Sequence, residues 1–290
     1  MGRNTNREDT ACAVLGPEQT LGVIGVGVMG RALVRGVLRS SLLRADQLWG
    51  ATRRTDTNKS LATELGIPVV TDCTEKMANA GTVLLCVKPT QVGAVIARLR
   101  QSGLRPDTLL ISIAAGVTTS ALEELSATPN PWVRAMPNTP SVVGESMTVI
   151  CGGRAATGEH LARAQKLFEA VGLCRVVDEH HFNAITALSG SGPAYIYLII
   201  EALADAGVRV GLPRTLATEL VAQTVVGAAK MVQTTGRHPA ALRDDVTTPA
   251  GCTIGGLLML EDGKIRSVLA RAVEEATRIA QNLGRAHKAE

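Results

Sequence analysis

Short apolar runs alternate with segments of helical period over the first part of this chain. The runs that have the length of strands lie at 21–24, 47–51, 82–87, 108–113, 132–135, 147–150 and 174–177. Behind the first run, the apolar residues that recur at the spacing of one helix face are Met29, Leu33, Val34, Val37 and Leu38. The runs 82–87 and 108–113 are continuous, which is typical of strands covered on both faces of a parallel sheet. The pattern predicts an α/β fold, with a Rossmann-type parallel sheet domain over residues 20–179.

The strand signals stop after about residue 178, and long helical segments follow at 194–209, 214–235 and 264–284. The second segment is rich in apolar residues and carries few charges, so it needs more than one partner face. We predict an all-helical dimerisation and substrate domain over 180–290; a self-contained bundle is the alternative that the pattern leaves open. Residues 1–19 are predicted to be a disordered extension.

Composition narrows the classes of function. Apolar residues make up 46% of the 290 residues and aromatic residues only 2%, which argues against single-stranded nucleic-acid binding by stacking. The net charge of +4 is spread along the chain, and the six cysteines form no C-x-x-C pair. The longest apolar run comprises residues 194–200 and stops before Glu201, so it is too short for a membrane span. We expect a cytoplasmic protein with no metal, no nucleic-acid partner and no membrane anchor.

A glycine cluster follows the first predicted strand and opens the first predicted helix. Its residues are Gly25, Val26, Gly27, Val28, Met29 and Gly30. In this context the spacing indicates a dinucleotide site: the first glycine allows a tight turn, the second a close approach of the pyrophosphate, and the third close helix–strand packing. The alternative is a glycine-rich turn without a ligand.

The end of the second predicted strand indicates which nicotinamide cofactor binds. NAD-binding proteins usually place a carboxylate there, but this chain has Thr52, Arg53 and Arg54. Because arginine can bind a phosphate through two hydrogen bonds, these residues predict NADPH, with NADH as a weaker cofactor. Two solvated loop arginines are the alternative.

Three further strand ends complete the predicted cofactor crevice, because ligands of open parallel sheets lie at the carboxyl ends of the strands. The residues at the first two ends are Val87, Lys88, Pro89, Ala114, Ala115 and Gly116. At the third, Asn138 follows the 132–135 run. Its amide is predicted either to bond the nicotinamide carboxamide or to form an Asx-turn.

A hydroxyl-rich loop lies between two helix-forming stretches near the end of the chain. Residues 246–256 read V-T-T-P-A-G-C-T-I-G-G. Such a loop exposes several backbone N–H groups and can close around a small anion. It predicts where a small carboxylated substrate binds.

Together these motifs resemble the pyrroline-5-carboxylate reductase family. The resemblance runs from about residue 20 to 283 and includes 136–140 (M-P-N-T-P), 188–195 (L-S-G-S-G-P-A-Y) and the 242–261 segment. It implies an N-terminal Rossmann domain, a helical domain that dimerises, and higher assemblies that include decamers. It also implies reduction of the C=N bond of 1-pyrroline-5-carboxylate by NAD(P)H to give L-proline, the last step of proline biosynthesis.

The resemblance also implies roles for single residues. Pro193 would lie near the nicotinamide, Glu179 would line the proline site, and Thr253 would hydrogen-bond the ring nitrogen and act as the catalytic residue. The residues that would hold the substrate are Glu179, Val246, Thr247, Thr248, Gly251, Cys252 and Thr253. The chain departs from the family pattern at Ala250 and Cys252; an alanine is strained if position 250 needs a positive φ. The structural alternative for Thr253 is an N-cap of a helix that begins at Ile254.

Two other functions stay open. A related NADPH-dependent reductase of another cyclic imine or of a 2-oxo or β-hydroxy acid would place a lysine base on the 214–235 helix, where Lys230 lies only near the end. A non-enzymatic NADPH sensor would bind the cofactor without turnover. His180, His181 and His238 are interpreted as surface or capping residues rather than catalysts.

Overall fold

The computed structural model describes residues 14–16 and 18–286. They form two compact units: one extends to Gly190 and includes the end of the last helix from Thr277, and the other spans Ser191–Ala276. The division lies later in the chain than the predicted boundary at residue 179. The reason is that the turns at 179–190 are hydrogen-bonded to the sheet domain through Glu179 and Ser189.

An eight-stranded sheet organises the first unit. Its strands are β1 (Thr20–Ile24), β2 (Leu48–Ala51), β3 (Val69–Val70), β4 (Ala80–Leu85), β5 (Leu109–Ser112), β6 (Trp132–Met136), β7 (Ser146–Gly152) and β8 (Gly172–Val176). They lie in the order β3-β2-β1-β4-β5-β6-β7-β8. Neighbours are parallel except β6 and β7, which are antiparallel. The predicted parallel-dominated α/β fold is therefore confirmed. Strands β2 and β3 lie on one side of β1 and strands β4 to β8 on the other, so the strand order reverses between β1 and β4.

Helices cover both faces of this sheet. They are α1 (Val28–Arg39), α2 (Thr55–Leu65), α3 (Thr74–Met77), α4 (Val92–Gln101), α5 (Thr119–Ser126), α6 (Gly158–Glu169) and α7 (Phe182–Ile185), followed by a π-helical turn at Thr186–Gly190. Successive residues of β4 point into two separate cores: Leu84 packs with α1 and α6, whereas Val83 and Leu85 pack on the α4 side. This double burial explains why the central strands are continuously apolar.

The start of the described chain corrects one expectation. Val14 and Leu15 are 6% and 7% exposed and belong to the core that contains Leu21 and Val37. The chain therefore packs before residue 20, because two consecutive apolar side chains gain by burial. The other residues of the predicted extension, 1–13 and 17, lie outside the described residues.

The second unit consists of helices with almost no interior of their own. They are α8 (Gly192–Arg209), α9 (Arg214–Thr235), α10 (Pro239–Asp245), α11 (Cys252–Asp262) and the larger part of α12 (Ile265–Ala286). Within 191–276 the buried residues are Ala204 and Ala217. A methyl group of Ala217 would lie 3.1 Å from a Cβ placed on Gly207, so α8 and α9 pack closely through small residues.

Large apolar side chains of this unit face outward instead. Leu198 is 65% exposed, Leu258 55% and Met259 67%. Many exposed large apolar side chains on neighbouring helices are typical of a protein–protein interface. The stretch Glu179–Arg209, with a mean hydropathy of 1.2, is the one candidate membrane-spanning helix by length and composition among the described residues. Since α9 and α11 share the same exposed apolar character, we interpret the surface as one that pairs with another copy.

Candidate active site

The carboxyl ends of four neighbouring strands form one edge of the sheet. The segments that follow β1, β4, β5 and β6 are 25–30, 86–89, 113–116 and 137–138. In an open α/β sheet this edge, where the strand order reverses, is where a dinucleotide binds. The structure thus brings the predicted cofactor residues of these four segments to one edge.

The glycine turn has the geometry that the fingerprint requires. Gly25 has a φ of +97°, and a Cβ there would lie 2.5 Å from the carbonyl oxygen of Cys86. A Cβ on Gly30 would collide with the carbonyl of Gly25, so helix α1 can approach β1 only through a glycine. At Gly27 a Cβ would meet nothing within 4 Å, which leaves open space beside the backbone.

The N-terminus of α1 offers unpaired donors at the same place. Gly27 is the N-cap and provides no side-chain cap, and the first helical hydrogen bond runs from the Arg31 N–H to the Gly27 carbonyl. The N–H groups of Val28, Met29 and Gly30 therefore have no partner within the helix. Open space and free N–H groups at a helix N-terminus fit a pyrophosphate.

The two arginines after β2 differ in their surroundings. Arg54 makes two hydrogen bonds to Asp56, at 3.2 and 2.6 Å, and this carboxylate raises the pKa of Arg54. Arg53 is exposed and makes no ion pair with any residue that the structure describes. The Thr52 hydroxyl donates to the Arg54 carbonyl at 3.1 Å, which fixes the turn. Arg53 is thus the free cation at this strand end.

The segments after β4 and β5 bring backbone to the crevice. Lys88 is exposed, and Pro89 begins a short 3₁₀ turn that leads into α4. Burial raises the pKa of the neighbouring Cys86 thiol, which therefore stays neutral. After β5, Ala114 is buried and Gly116 has a φ of +79°. Because residues 114–116 carry no side chain larger than a methyl group, a ligand can approach their backbone closely.

The Asn138 amide connects three parts of the first unit. Its Oδ1 accepts hydrogen bonds from the Ser146 hydroxyl and the Met147 N–H, both at 3.1 Å, and its Nδ2 donates to the Ser189 carbonyl at 3.1 Å. The predicted Asx-turn is wrong, because the residue two positions on is Pro140, which has no N–H. One N–H of the amide has no acceptor among the described residues, so a contact with the cofactor stays a prediction.

Glu179 lies in a network that the sequence did not reveal. Its carboxylate accepts from the Thr119 N–H at 2.8 Å, from the Thr119 hydroxyl at 2.7 Å and from Arg134 at 3.0 Å. The Arg134 side chain is 5% exposed, and its guanidinium lies 4.4 Å from the centre of the Phe182 ring. The network fixes Glu179 against the N-terminus of α5.

The hydroxyl-rich loop between α10 and α11 belongs to the second unit. The Thr247 hydroxyl donates to the Arg243 carbonyl at 2.7 Å, whereas the hydroxyls of Thr248 and Thr253 make no hydrogen bond within the part of the chain that the structure describes. Ala250 has a φ of +55°, which confirms the expected strain at this alanine. The Thr247 hydroxyl is therefore already bonded within the loop, whereas the hydroxyls of Thr248 and Thr253 can donate to a ligand.

Helix α11 begins earlier than the capping alternative for Thr253 requires. The helix starts at Cys252 with Gly251 as its N-cap, so Thr253 lies inside the first turn and its hydroxyl is not the cap. The N-cap interpretation is therefore wrong. The N–H groups of Cys252, Thr253 and Ile254 precede the first helical bond, from Gly255 to the Gly251 carbonyl, and stay available.

All three histidines lie where the interpretation as surface or capping residues places them. His238 caps α10, since its Nδ1 accepts from the Ala240 N–H at 3.1 Å. His180 and His181 are exposed and, with Asp178, place candidate metal-ligand atoms within 4.8 Å of one another. The absence of a metal stays a prediction for this cluster.

Comparisons with known proteins decide the family. A family model described as pyrroline-5-carboxylate reductase dimerisation matches residues 179–283. A pyrroline-5-carboxylate reductase of Arabidopsis thaliana is 42% identical over 263 residues, which cover 91% of this chain and 95% of that protein. One of Methanosarcina acetivorans is 40% identical over 92% of this chain and 98% of that protein. This chain belongs to the pyrroline-5-carboxylate reductase family.

Solved structures of family members agree in fold with this reductase. A pyrroline-5-carboxylate reductase from Coxiella burnetii has a TM-score of 0.85 and 34% identity, over 92% of this chain and 98% of that one. A Plasmodium falciparum pyrroline carboxylate reductase with NADP bound has a TM-score of 0.82 and 31% identity, over 93% and 100%. A second family model, NADP oxidoreductase coenzyme F420-dependent, matches residues 20–116. As its dimerisation domain implies, this reductase is a homo-oligomer.

The structure adds residues to the reductase site that no motif indicated. Thr119 and Arg134 hold Glu179, and Ser146 holds Asn138. The signal available in the sequence is an arginine inside the apolar run 132–135, because a buried charge requires a partner. Nothing in the sequence indicated which carboxylate that partner is.

Proposed function

We propose that this chain reduces 1-pyrroline-5-carboxylate to L-proline with NADPH, as the last step of proline biosynthesis. The observation that carries the proposal is the similarity to proteins of that name over more than nine-tenths of both chains, at 42% and 40% identity. The crevice and the loop supply the two binding functions that such a reaction needs, one for a dinucleotide and one for a small carboxylate.

The described residues fit a bound NADPH. The glycine turn and the free N–H groups of Val28, Met29 and Gly30 would hold the pyrophosphate, and Gly27 leaves room for it. Arg53 would bind the 2′-phosphate as an unpaired guanidinium, with Thr52 and Arg54 shaping the turn around it. Because positions 52–54, which directly follow β2, carry no carboxylate for a ribose hydroxyl, NADH would bind more weakly. The nicotinamide half would contact segments 87–89 and 114–116, Asn138 and Pro193.

The loop and the first turn of α11 would hold the substrate carboxylate. The N–H groups of Cys252, Thr253 and Ile254 have no helical partner, and the positive end of the helix dipole favours an anion there. The loop residues that would shape this site are Val246, Thr247, Thr248 and Gly251. A contact of Glu179 with the substrate is proposed from the family resemblance alone. Such anchoring fixes the ring so that only one carbon can react.

The chemistry requires a hydride at the imine carbon and a proton on the ring nitrogen. NADPH, when bound, supplies the hydride. Thr253 has a hydroxyl without a hydrogen bond among the described residues, and it would donate to the ring nitrogen as that nitrogen gains electron density. Thr253→Val removes only the hydroxyl and should lower kcat/KM on the order of 100-fold.

The assembly follows from the second unit. Residues 191–276 bury two alanines and expose many large apolar side chains, so they need another copy to form a core. We propose a homodimer through this unit as the minimal form, with decamers as a higher assembly, in the cytoplasm.

Oxidation of NADPH followed at 340 nm tests the function. The purified chain is supplied with 1-pyrroline-5-carboxylate, with other cyclic imines and with a panel of 2-oxo and β-hydroxy acids. The proposal predicts kcat/KM highest for 1-pyrroline-5-carboxylate. A higher value for a keto acid would favour the related reductase, and NADPH binding without turnover of any compound would favour a sensor.

A further inference from the structure

A proline removes a helical hydrogen bond at the start of α8. In a regular helix the carbonyl of Ser189 would accept from the N–H of the residue four positions on, which is Pro193 and has none. The N–H of the next residue, Ala194, donates to the Ser191 carbonyl at 3.0 Å. The chain at Thr186–Gly190 forms a π-helical turn, a distortion that is frequent at functional sites.

Asn138 supplies the missing donor. Its Nδ2 donates to the Ser189 carbonyl at 3.1 Å. The amide cannot rotate away easily, because its Oδ1 accepts from the Ser146 hydroxyl and from the Met147 N–H. Ser146 is itself 3% exposed at the start of β7. A rigid strand thus orients the amide, and the amide orients the turn.

The contact between Asn138 and Ser189 lies on the side of the sheet where the nicotinamide would bind. Asn138 follows β6 at the carboxyl edge, on the side of β4, β5 and β6. Arg53 follows β2, on the other side of the point where the strand order reverses. A dinucleotide lies across that point with one mononucleotide on each side. The phosphate-binding arginine marks the adenosine side, so Asn138 and the π-helical turn belong to the nicotinamide side.

We infer that Asn138 is a positioning residue: through the Ser189 carbonyl it fixes the π-helical turn against which the nicotinamide is oriented for hydride transfer. This inference rests on the proposed function. It adds a second role to the predicted contact of the Asn138 amide with the carboxamide, for which the other N–H of Nδ2 has no acceptor among the described residues. An error in the angle of the reacting ring affects the transfer step more than cofactor affinity, because most cofactor contacts are elsewhere.

Asn138→Asp tests the inference with the smallest change. The carboxylate retains both acceptor bonds but loses the N–H that reaches Ser189. We expect kcat to fall about tenfold, because the contribution of one hydrogen bond, if lost from the transition state, changes the rate by about that factor. The KM for NADPH should stay within about twofold of the wild type, because the contacts at the glycine turn and Arg53 are unchanged. The deuterium isotope effect on kcat, measured with NADPH that carries deuterium at both C4 positions, should rise as hydride transfer limits turnover.

Asn130→Asp is the matched control. The Nδ2 of Asn130 donates to the carbonyls of Arg105 and Thr108, at 2.7 and 3.0 Å, so the same loss of a donor occurs at the amino end of β6. We expect lower stability for this variant but wild-type kcat and isotope effect. Wild-type kcat and isotope effect in Asn138→Asp would overturn the inference. A raised KM for NADPH at unchanged kcat, or an equal change in isotope effect in both variants, would overturn it too.

A crystal structure of the wild type with NADP⁺ tests the inference without a variant, and so covers the case in which Asn138→Asp does not fold. The inference predicts Nδ2 of Asn138 on the Ser189 carbonyl. It is overturned if that atom has left Ser189 for the nicotinamide carboxamide. If the wild type does not oxidise NADPH with 1-pyrroline-5-carboxylate, the proposed function fails, whereas the bound structure still decides the role of Asn138.

Discussion

At the scale of the residue, two adjacent arginines after β2 have different capacities to bind a phosphate. Arg54 already makes two hydrogen bonds to Asp56, whereas Arg53 is unpaired among the described residues. From the sequence alone the two arginines could not be distinguished, because it does not show which of them forms hydrogen bonds with a nearby carboxylate. We therefore assign the 2′-phosphate to Arg53.

Arg53→Ala should weaken NADPH binding by about 1.5–3 kcal/mol and leave NADH binding nearly unchanged, since a charged hydrogen bond to the 2′-phosphate is lost. Arg54→Ala is the control, with an expected change of less than about 1 kcal/mol. Fluorescence titration with both cofactors measures the four affinities in question. Equal losses of NADPH affinity in both variants would show that the pairing of Arg54 with Asp56 does not matter.

Ala250 shows a second residue-scale effect, in which the departure from the family pattern has a structural cost. Its φ of +55° lies in the left-handed region, where alanine costs about 1–2 kcal/mol. Ala250→Gly should therefore raise the free energy of unfolding by about 0.5–1 kcal/mol, after the greater chain entropy of unfolded glycine is subtracted.

Ala222→Gly in the interior of α9 makes the same chemical change on right-handed backbone. It should lower the free energy of unfolding by about 1 kcal/mol. Denaturation in urea measures both values. A destabilised Ala250→Gly variant would contradict the strain at this position.

At the scale of the element, a buried ion pair joins β6 to the segment that follows β8. Arg134 is 5% exposed and Glu179 31% exposed in side-chain terms, and Thr119 at the start of α5 binds the same carboxylate. Because the Arg134 charge is buried, it depends on the Glu179 carboxylate for compensation. The pair thus holds Glu179 in place for the substrate role proposed for it.

Arg134→Ala should lower the free energy of unfolding by about 3 kcal/mol, since a buried pair is broken. The control is Arg105→Ala, which breaks a pair with Asp107 whose side chains are 47% and 61% exposed and should cost less than about 1 kcal/mol. Urea denaturation compares the two variants. Similar losses in both would mean that burial adds nothing to the importance of Arg134.

Elements were predictable from the sequence where the apolar pattern is long and regular. The predicted helix at 214–235 coincides with α9, and seven of the eight strands lie at predicted runs. Strand β3 was missed because it comprises only Val69 and Val70. The antiparallel direction of β7 was not predictable, since pairing direction depends on the path of the chain rather than on its apolar pattern.

The backbone geometry of the candidate site was predictable. The glycine turn has the predicted close approaches and positive φ, because φ requirements are visible in sequence, whereas binding at the 246–253 loop stays a prediction. The partners of Glu179 and Asn138 were not identified, because Thr119 lies 60 positions from Glu179 and Ser189 lies 51 positions from Asn138. Contacts over such separations depend on the packed fold.

At the scale of the whole molecule, the helical unit determines the state of association. Leu220 on α9 is 49% exposed and belongs to the apolar surface that the unit cannot bury alone. Leu220→Glu should shift the mass measured by sedimentation towards the monomer, because it places a charge in an apolar interface. Lys59→Glu, an exposed charge reversal on α2, should leave the mass unchanged. A monomeric wild type at micromolar concentration would contradict the role of this surface.

We conclude that this molecule transfers hydride from NADPH to the imine carbon of 1-pyrroline-5-carboxylate. Mass spectrometry of the product formed with NADPH that carries deuterium at both C4 positions tests it most directly. We predict that the wild type forms L-proline with a single deuterium at the ring carbon of the former C=N bond, and that Thr253→Val forms much less of it. Unlabelled proline, or no proline at all while NADPH is consumed, would contradict it.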